Sequence, residues 1–262
     1  MPLTDGLPIW FELTAPDPAR AARFYDRVLG WTTQPSPTPE HGGYLLAAAP
    51  DGVSVAGMMA PPPGAPPNGG WGIYFAARDI AATLALAQQR GATILLAPMA
   101  IPHVGTIAIL RDPQGVDLRL MQPVAQDEAA PFSQAPDAVG HAVWIELATP
   151  DPDGALAFYG ALFGWTEAGA MPMGEMGDYT FFAAGDARPG AVMSSVSTQA
   201  PARWNSYVLV AEIDTAIAAA QAAGGTLIQG PDEIPGGDYS ANILDPDGSQ
   251  IGLVGPRRSA TA

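Results

Sequence analysis

The chain opens on a two-residue alternation. Ile9, Phe11 and Leu13 fall on one side of an extended segment, and Trp10, Glu12 and Thr14 on the other, which predicts a strand with one apolar and one polar face. The pattern then turns helical. Asp17-Pro18 is an N-cap followed by proline at the first helical position, Phe24 and Tyr25 sit at core-facing helical positions, and Gly30 is a left-handed stop after Leu29. A second strand at 73–77 leads into a helix from about Asp79 to Arg90, closed by Gly91. Strands near 92–97, 104–111 and 116–121 follow, the last two joined by an Asp112-Pro-Gln-Gly115 turn.

The whole arrangement occurs twice. Residues 9–32 and 143–166 share twelve of 24 positions at an offset of 134, including Trp10/Trp144, Glu12/Glu146, Asp17/Asp151, Tyr25/Tyr159 and Gly30/Gly164. Trp71-x-x-Tyr74 returns as Trp204-x-x-Tyr207, and Asp112-Pro-Gln-Gly115 as Asp245-Pro-Asp-Gly248. Each copy reads as two β-α-β-β-β modules, so the chain holds four. The predicted domains are 1–122 and 141–257, with a Pro- and Ala-rich linker at 123–140 that lacks apolar periodicity. The Pro/Gly stretch at 60–70 is read equally as a lid or as a linker.

Composition narrows the classes of function. Of 262 residues 48 % are hydrophobic, and no apolar run is long enough to span a membrane. The formal charge is −15, which repels phosphate backbones and anionic membranes, so nucleic acid and membrane are not expected partners. With no cysteine, disulfides, thiolate nucleophiles and Cys-bound zinc are excluded. The N-terminus shows no secretory pattern, and a cytoplasmic location is the expectation. All eleven basic residues are arginine, a usage pointing to a high-GC bacterial genome. No P-loop, dinucleotide fingerprint or nucleophile elbow is present.

The motif E-L-x-x-x-D-P-x-x-A-x-x-F-Y-x-x-x-x-G-W, followed later by D-P-x-G, resembles the vicinal oxygen chelate superfamily of glyoxalases, extradiol dioxygenases and bleomycin-resistance proteins. The resemblance covers both copies and implies an α+β fold of two tandem glyoxalase-like domains. Each domain would be a cup-shaped sheet with its site on the face away from the helices. Alternation then places Trp10, Glu12, Gly72, Tyr74, Asp117 and Arg119 in the first cup. In the second it places Trp144, Glu146, Asn205, Tyr207, Gln250 and Gly252. Metal-using relatives carry His, Gln or Glu where this chain has Trp10, Gly72 and Arg119, then Trp144, Asn205 and Gly252. An indole, a guanidinium and a glycine cannot ligate a cation, so no metal or other cofactor is expected. His41, His103 and His141 show no repeat-consistent convergence and are expected in loops or at the surface.

Glu12 and Glu146 are the catalytic candidates: mid-strand carboxylates between apolar neighbours need a partner. Each is read as a base or ligand acceptor, or as a structural group bonded to backbone or to a tryptophan N–H. Arg119 either pairs with Glu12 or clamps a ligand anion, and Gly252 in its place makes the two copies chemically unequal. Trp10, Trp144, Tyr74 and Tyr207 offer flat surfaces for a ligand or fill packing space. The leading expectation is a metal-independent small-molecule binder of the bleomycin-resistance type. The alternatives are a glyoxalase-class lyase or isomerase using a cup glutamate as base, and a non-catalytic interaction protein. With four modules in one chain a monomer with pseudo-twofold domains suffices, and a homodimer is left open.

Overall fold

A computed structural model describes residues 4–64, 69–124 and 131–258; the 60–70 stretch and the linker lie partly outside these described residues. The first copy holds β1 (Pro8–Thr14), α1 (Pro18–Leu29), β2 (Thr32–Pro35), β3 (Leu45–Ala48), β4 (Ser54–Met59), β5 (Gly70–Ala76), α2 (Ile80–Gln89), β6 (Thr93–Ile101), β7 (Gly105–Arg111) and β8 (Asp117–Pro123). The second holds β9 (Ala142–Thr149), α3 (Pro152–Phe163), β10 (Thr166–Pro172), β11 (Asp178–Ala184), β12 (Ala187–Ser194), α4 (Ser195–Thr198), β13 (Arg203–Leu209), α5 (Ile213–Ala222), β14 (Thr226–Glu233), β15 (Tyr239–Leu244) and β16 (Gln250–Gly255).

The local signals act as the sequence implies. Asp17 accepts a hydrogen bond from Arg20 N at 2.9 Å and Asp151 from Gly154 N at 3.0 Å, each satisfying an orphan donor of the first turn. Gly30 and Gly164 end their helices at φ 71° and 76°, where a side chain would be strained. Two eight-stranded sheets have the same order under the repeat, β2-β3-β4-β1-β5-β8-β7-β6 and β10-β11-β12-β9-β13-β16-β15-β14. The fold is α+β, with a tandem pair of glyoxalase-type domains.

The compact units do not coincide with the two copies. One unit combines Trp10–Trp71, the first module, with Ser206 onward, the fourth; the other combines the second module, from Gly72, with Ile145–Asn205, the third. In the first–fourth unit α1 packs against α5, and in the second–third unit α2 packs against α3. Phe11 and Leu13 are buried, and their repeat partners Ile145 and Leu147 are likewise buried in the other unit. Trp31 and Trp165, read as core from their place after the helix stop, are each 5 % exposed.

This exchange explains why two of the repeated motifs are present. In the second–third unit Asp112 of the D-P-x-G turn takes N–H bonds from Gln114 and Val116 on one oxygen, at 2.9 and 2.8 Å. Its other oxygen accepts the hydroxyl of Tyr159, from the F-Y motif of the other copy, at 2.8 Å. In the first–fourth unit Asp245 is bound by Asp247 N and Ser249 N, and accepts from Tyr25 Oη at 2.9 Å. Burial, then the adjacent carboxylate, pushes both phenols well above their usual range, so they remain donors. Burial also raises Asp112.

Candidate functional site

The polar face of the first module is organised by a three-member chain. Trp10 Nε1 donates to Tyr44 Oη at 2.8 Å, and Tyr44 Oη donates to Glu12 Oε2 at 3.0 Å. All three are half-buried. Glu12 stands opposite Gly57 of β4, and a Cβ on Gly57 would overlap the Tyr44 ring. The missing side chain is therefore what lets the phenol lie across β4 and reach the carboxylate. Of the partners open to the glutamate, a tryptophan N–H reaches it here through a tyrosine relay.

The third module repeats the core of this device. Tyr179 Oη donates to Glu146 Oε2 at 2.9 Å, again at half-buried positions. Alanine, Ala191, stands opposite Glu146 in place of glycine. Neither tyrosine was singled out from the sequence. Both follow a glycine by two residues, Gly42-x-Tyr44 and Gly177-x-Tyr179, at an offset of 135 that a search for repeats could have found. A carboxylate oriented by a phenol O–H can accept a ligand donor or, in an acid–base step, a proton.

The second and fourth modules carry different chemistry on the corresponding face. In the second, Tyr74 stands beside Arg119 across β5 and β8, and the guanidinium lies over the Tyr74 ring at 5.6 Å. A Cβ on Gly72 would overlap that guanidinium, so the glycine accommodates the arginine. Asp117 is exposed and bonded to Arg111 at 2.7 Å, on the neighbouring strand. In the fourth, the glycine has moved to the other strand: Tyr207 stands beside Gly252 and its ring covers the place a Cβ would occupy. Tyr207 Oη accepts from Asn242 Nδ2 at 3.2 Å, and Asn242 Oδ1 accepts from Gln250 Nε2 at 3.0 Å. Asn205 is buried, and Trp144 is half-buried.

The histidines do not form a centre. His41 bonds Ser36 Oγ through Nδ1 at 2.9 Å, and His103 is exposed at φ 63°. His141 lies in the bend just before β9, as a loop placement implies, but is buried rather than at the surface: it is 4 % exposed, with Nε2 3.1 Å from Asp51 Oδ2. A backbone N–H from Val53, with the His141 side chain, lowers the Asp51 carboxyl. Among the described residues no three His, Cys, Asp or Glu side chains are grouped as a divalent ion requires. The positions flanking Glu12 and Glu146, namely Trp10, Gly57, Trp144 and Ala191, carry no ligating group for one. The residues present do not fit the metal that this fold commonly carries.

This architecture, two tandem βαβββ pairs with a polar face on each module, defines a glyoxalase-type protein. The family model for the Glyoxalase/Bleomycin resistance protein/Dioxygenase superfamily matches residues 8–120 and again 139–253, and the chain belongs to that superfamily. It is 32 % identical over 253 residues to "Putative glyoxylase CFP32" of Mycobacterium tuberculosis, covering 96 % of this chain and 95 % of that protein. It is 28 % identical over 272 residues to the anthracycline biosynthesis protein DauV of a Streptomyces species, covering 98 % and 96 %. Among solved structures it resembles the Mn(II)-bound glyoxalase of Novosphingobium aromaticivorans, with a TM-score of 0.65, 15 % identity, and coverage of 98 % of this chain and 83 % of that one. At that identity the likeness speaks for the fold. No helix among the described residues is long and apolar enough to cross a membrane.

Proposed function

We propose that the protein binds a small molecule on the polar faces of its modules, at Glu12 with Tyr44 and Trp10 or at Glu146 with Tyr179 and Trp144, and that it does so without a resident metal. The observation that carries this reading is the Trp10–Tyr44–Glu12 chain, whose carboxylate is oriented and half-buried beside an indole surface. A fixed carboxylate next to an aromatic wall suits a ligand with a flat body and a hydrogen-bond donor. Metal independence is supported by the donor set, since tryptophan, glycine and alanine surround the two glutamates. The reading is of a sequestering or carrying protein of the bleomycin-resistance type, acting as a soluble cytoplasmic monomer.

The test is a thermal-shift screen of chelator-treated protein against a metabolite library. Calorimetry and mass-spectrometric product analysis follow for each molecule that raises the melting temperature. The reading expects binding without turnover, weakened at least about tenfold, or about 1.4 kcal/mol, in Glu12→Gln or Tyr44→Phe if the first copy binds. It expects the same in Glu146→Gln or Tyr179→Phe if the second does. A ligand bound equally well by all four variants would overturn it.

The name of CFP32 and the pairing of phenol with carboxylate favour a second reading, a glyoxalase-class lyase or isomerase with Glu12 or Glu146 as base. Turnover of a thioester-forming substrate that persists after chelation, and is lost in a glutamate-to-glutamine variant, would establish it over the first.

A further inference from the structure

The fourth module carries a cross-strand row that its repeat partner lacks. Tyr207, Gly252, Asn242 and Gln229 are in register across β13, β16, β15 and β14. Asn242 Nδ2 donates to Tyr207 Oη and to Gln229 Oε1, at 3.2 and 2.9 Å, while its Oδ1 accepts from Gln250 Nε2. The corresponding row of the second module is Tyr74, Arg119, Ile109 and Leu96, and Gln250 is replaced there by the ion-paired Asp117. One module thus presents a cation on an aromatic ring and the other an uncharged set of carboxamides. Asn242 is only 5 % exposed, and the chain contains just three asparagines. A buried amide in place of isoleucine has a desolvation cost that its three bonds offset, and those bonds hold Gln250 in one orientation.

Gln250 is half-buried, and beyond its bond to Asn242 its carbonyl oxygen and second N–H have no partner among the described residues. A carboxamide presenting a donor and an acceptor side by side is complementary to another amide-like edge, the pairing by which glutamine reads adenine. We propose that the fourth module recognises an uncharged nitrogen heterocycle through a lactam or imide edge, with Gln250 supplying the paired hydrogen bonds and the buried Tyr207 hydroxyl holding Asn242 behind it. Neutrality follows from the row's own side chains, which are uncharged; the Asp232 carboxylate meets the row only at its far end, accepting from Gln229 Nε2 at 3.4 Å. Because Asn242 already immobilises Gln250, little side-chain freedom is lost on binding. This rests on the small-molecule reading above and adds to it the class of ligand that the fourth module takes.

Riboflavin is the probe, since its isoalloxazine ring is flat, uncharged, fluorescent and carries an imide edge. Titrated with the full-length chain, its fluorescence is quenched, and Gln250→Leu and Gln250→Glu each weaken the binding at least about fivefold, the loss of one or two neutral hydrogen bonds. The exposed control Gln88→Leu leaves binding unchanged, and far-UV circular dichroism shows that all variants fold. N3-methyl-riboflavin, whose imide edge is blocked, binds as poorly to wild type as riboflavin does to Gln250→Leu. Absence of quenching, or quenching insensitive to Gln250 or to N3-methylation, would overturn the proposal. Library ligands that depend on Glu12 or Glu146 but not on Gln250 would refute this inference and leave the broader reading standing. A library with no ligand at all would remove both.

Discussion

Replacing Tyr159 with phenylalanine removes one buried oxygen and little volume. Asp112, 4 % exposed, would keep its two backbone N–H bonds but lose the phenol that supplies its other oxygen. A hydrogen bond to a charged acceptor contributes about 1.5–3 kcal/mol, and the carboxylate left behind is desolvated without compensation. At about 2–4 °C per kcal/mol for a chain of this size, a loss of about 2 kcal/mol lowers the melting temperature by roughly 4–8 °C. Tyr25→Phe should cost more. The Tyr25 oxygen donates to Asp245 and also accepts from Trp71 Nε1 at 2.8 Å, so two groups are orphaned and about 1 kcal/mol is added. In the other unit the matching Trp204 Nε1 lowers the Tyr159 phenol from nearby but does not form a well-aligned hydrogen bond, so Tyr159→Phe strands little beyond the carboxylate. Differential scanning calorimetry of both variants at neutral pH checks the magnitude and the order. A shift below about 1 °C in both, or a larger loss for Tyr159→Phe than for Tyr25→Phe, would show that these phenol–carboxylate bonds do not stabilise the units as described.

Three further outcomes follow from particular contacts. The Thr215 hydroxyl and N–H hold the Glu212 carboxyl at about 2, below its ordinary 4.5. The stability it contributes is therefore fully present above the ordinary value and is lost as pH falls towards about 2. Thermal melts across that range should fall less steeply in Glu212→Gln; an unchanged slope would remove Glu212 as a source of acid sensitivity. Gly252→Ala would place a methyl against the Tyr207 ring, and overpacking of about 1–3 kcal/mol should appear as a lower urea midpoint with unchanged slope. Gly57→Ala should displace Tyr44 from Glu12 and weaken any ligand held by the first copy, and a ligand bound there with undiminished affinity would count against Tyr44 as the positioning group.

Much of the fold was legible because it rests on local rules. The alternation from Ile9 to Thr14, the Asp-Pro caps and the glycine stops each specify backbone geometry within a few residues, and the repeat supplied each twice. Which modules would join into a compact unit was not legible. The F-Y and D-P-x-G motifs occur in both copies, and sequence cannot say whether Tyr25 meets Asp112 or Asp245. The glutamates were found because a mid-strand charge is conspicuous, whereas Tyr44 and Tyr179 stand just before β3 and at the start of β11, where loop length obscures alternation. The burial of the loop residue His141 is not legible locally, since its ring nitrogen meets Asp51, ninety residues away. Asn242 could not be found through the repeat at all, since its partner in the first copy is Ile109.

Elemental analysis joined to ligand titration decides whether this member of the superfamily works, as proposed, without a divalent ion. Protein purified without chelator and analysed for manganese, iron, nickel and zinc should hold far less than one ion per chain, and ligand affinity should be the same before and after chelation. One ion per chain, retained through desalting and required for ligand binding, would make the protein metal-dependent and overturn the proposal.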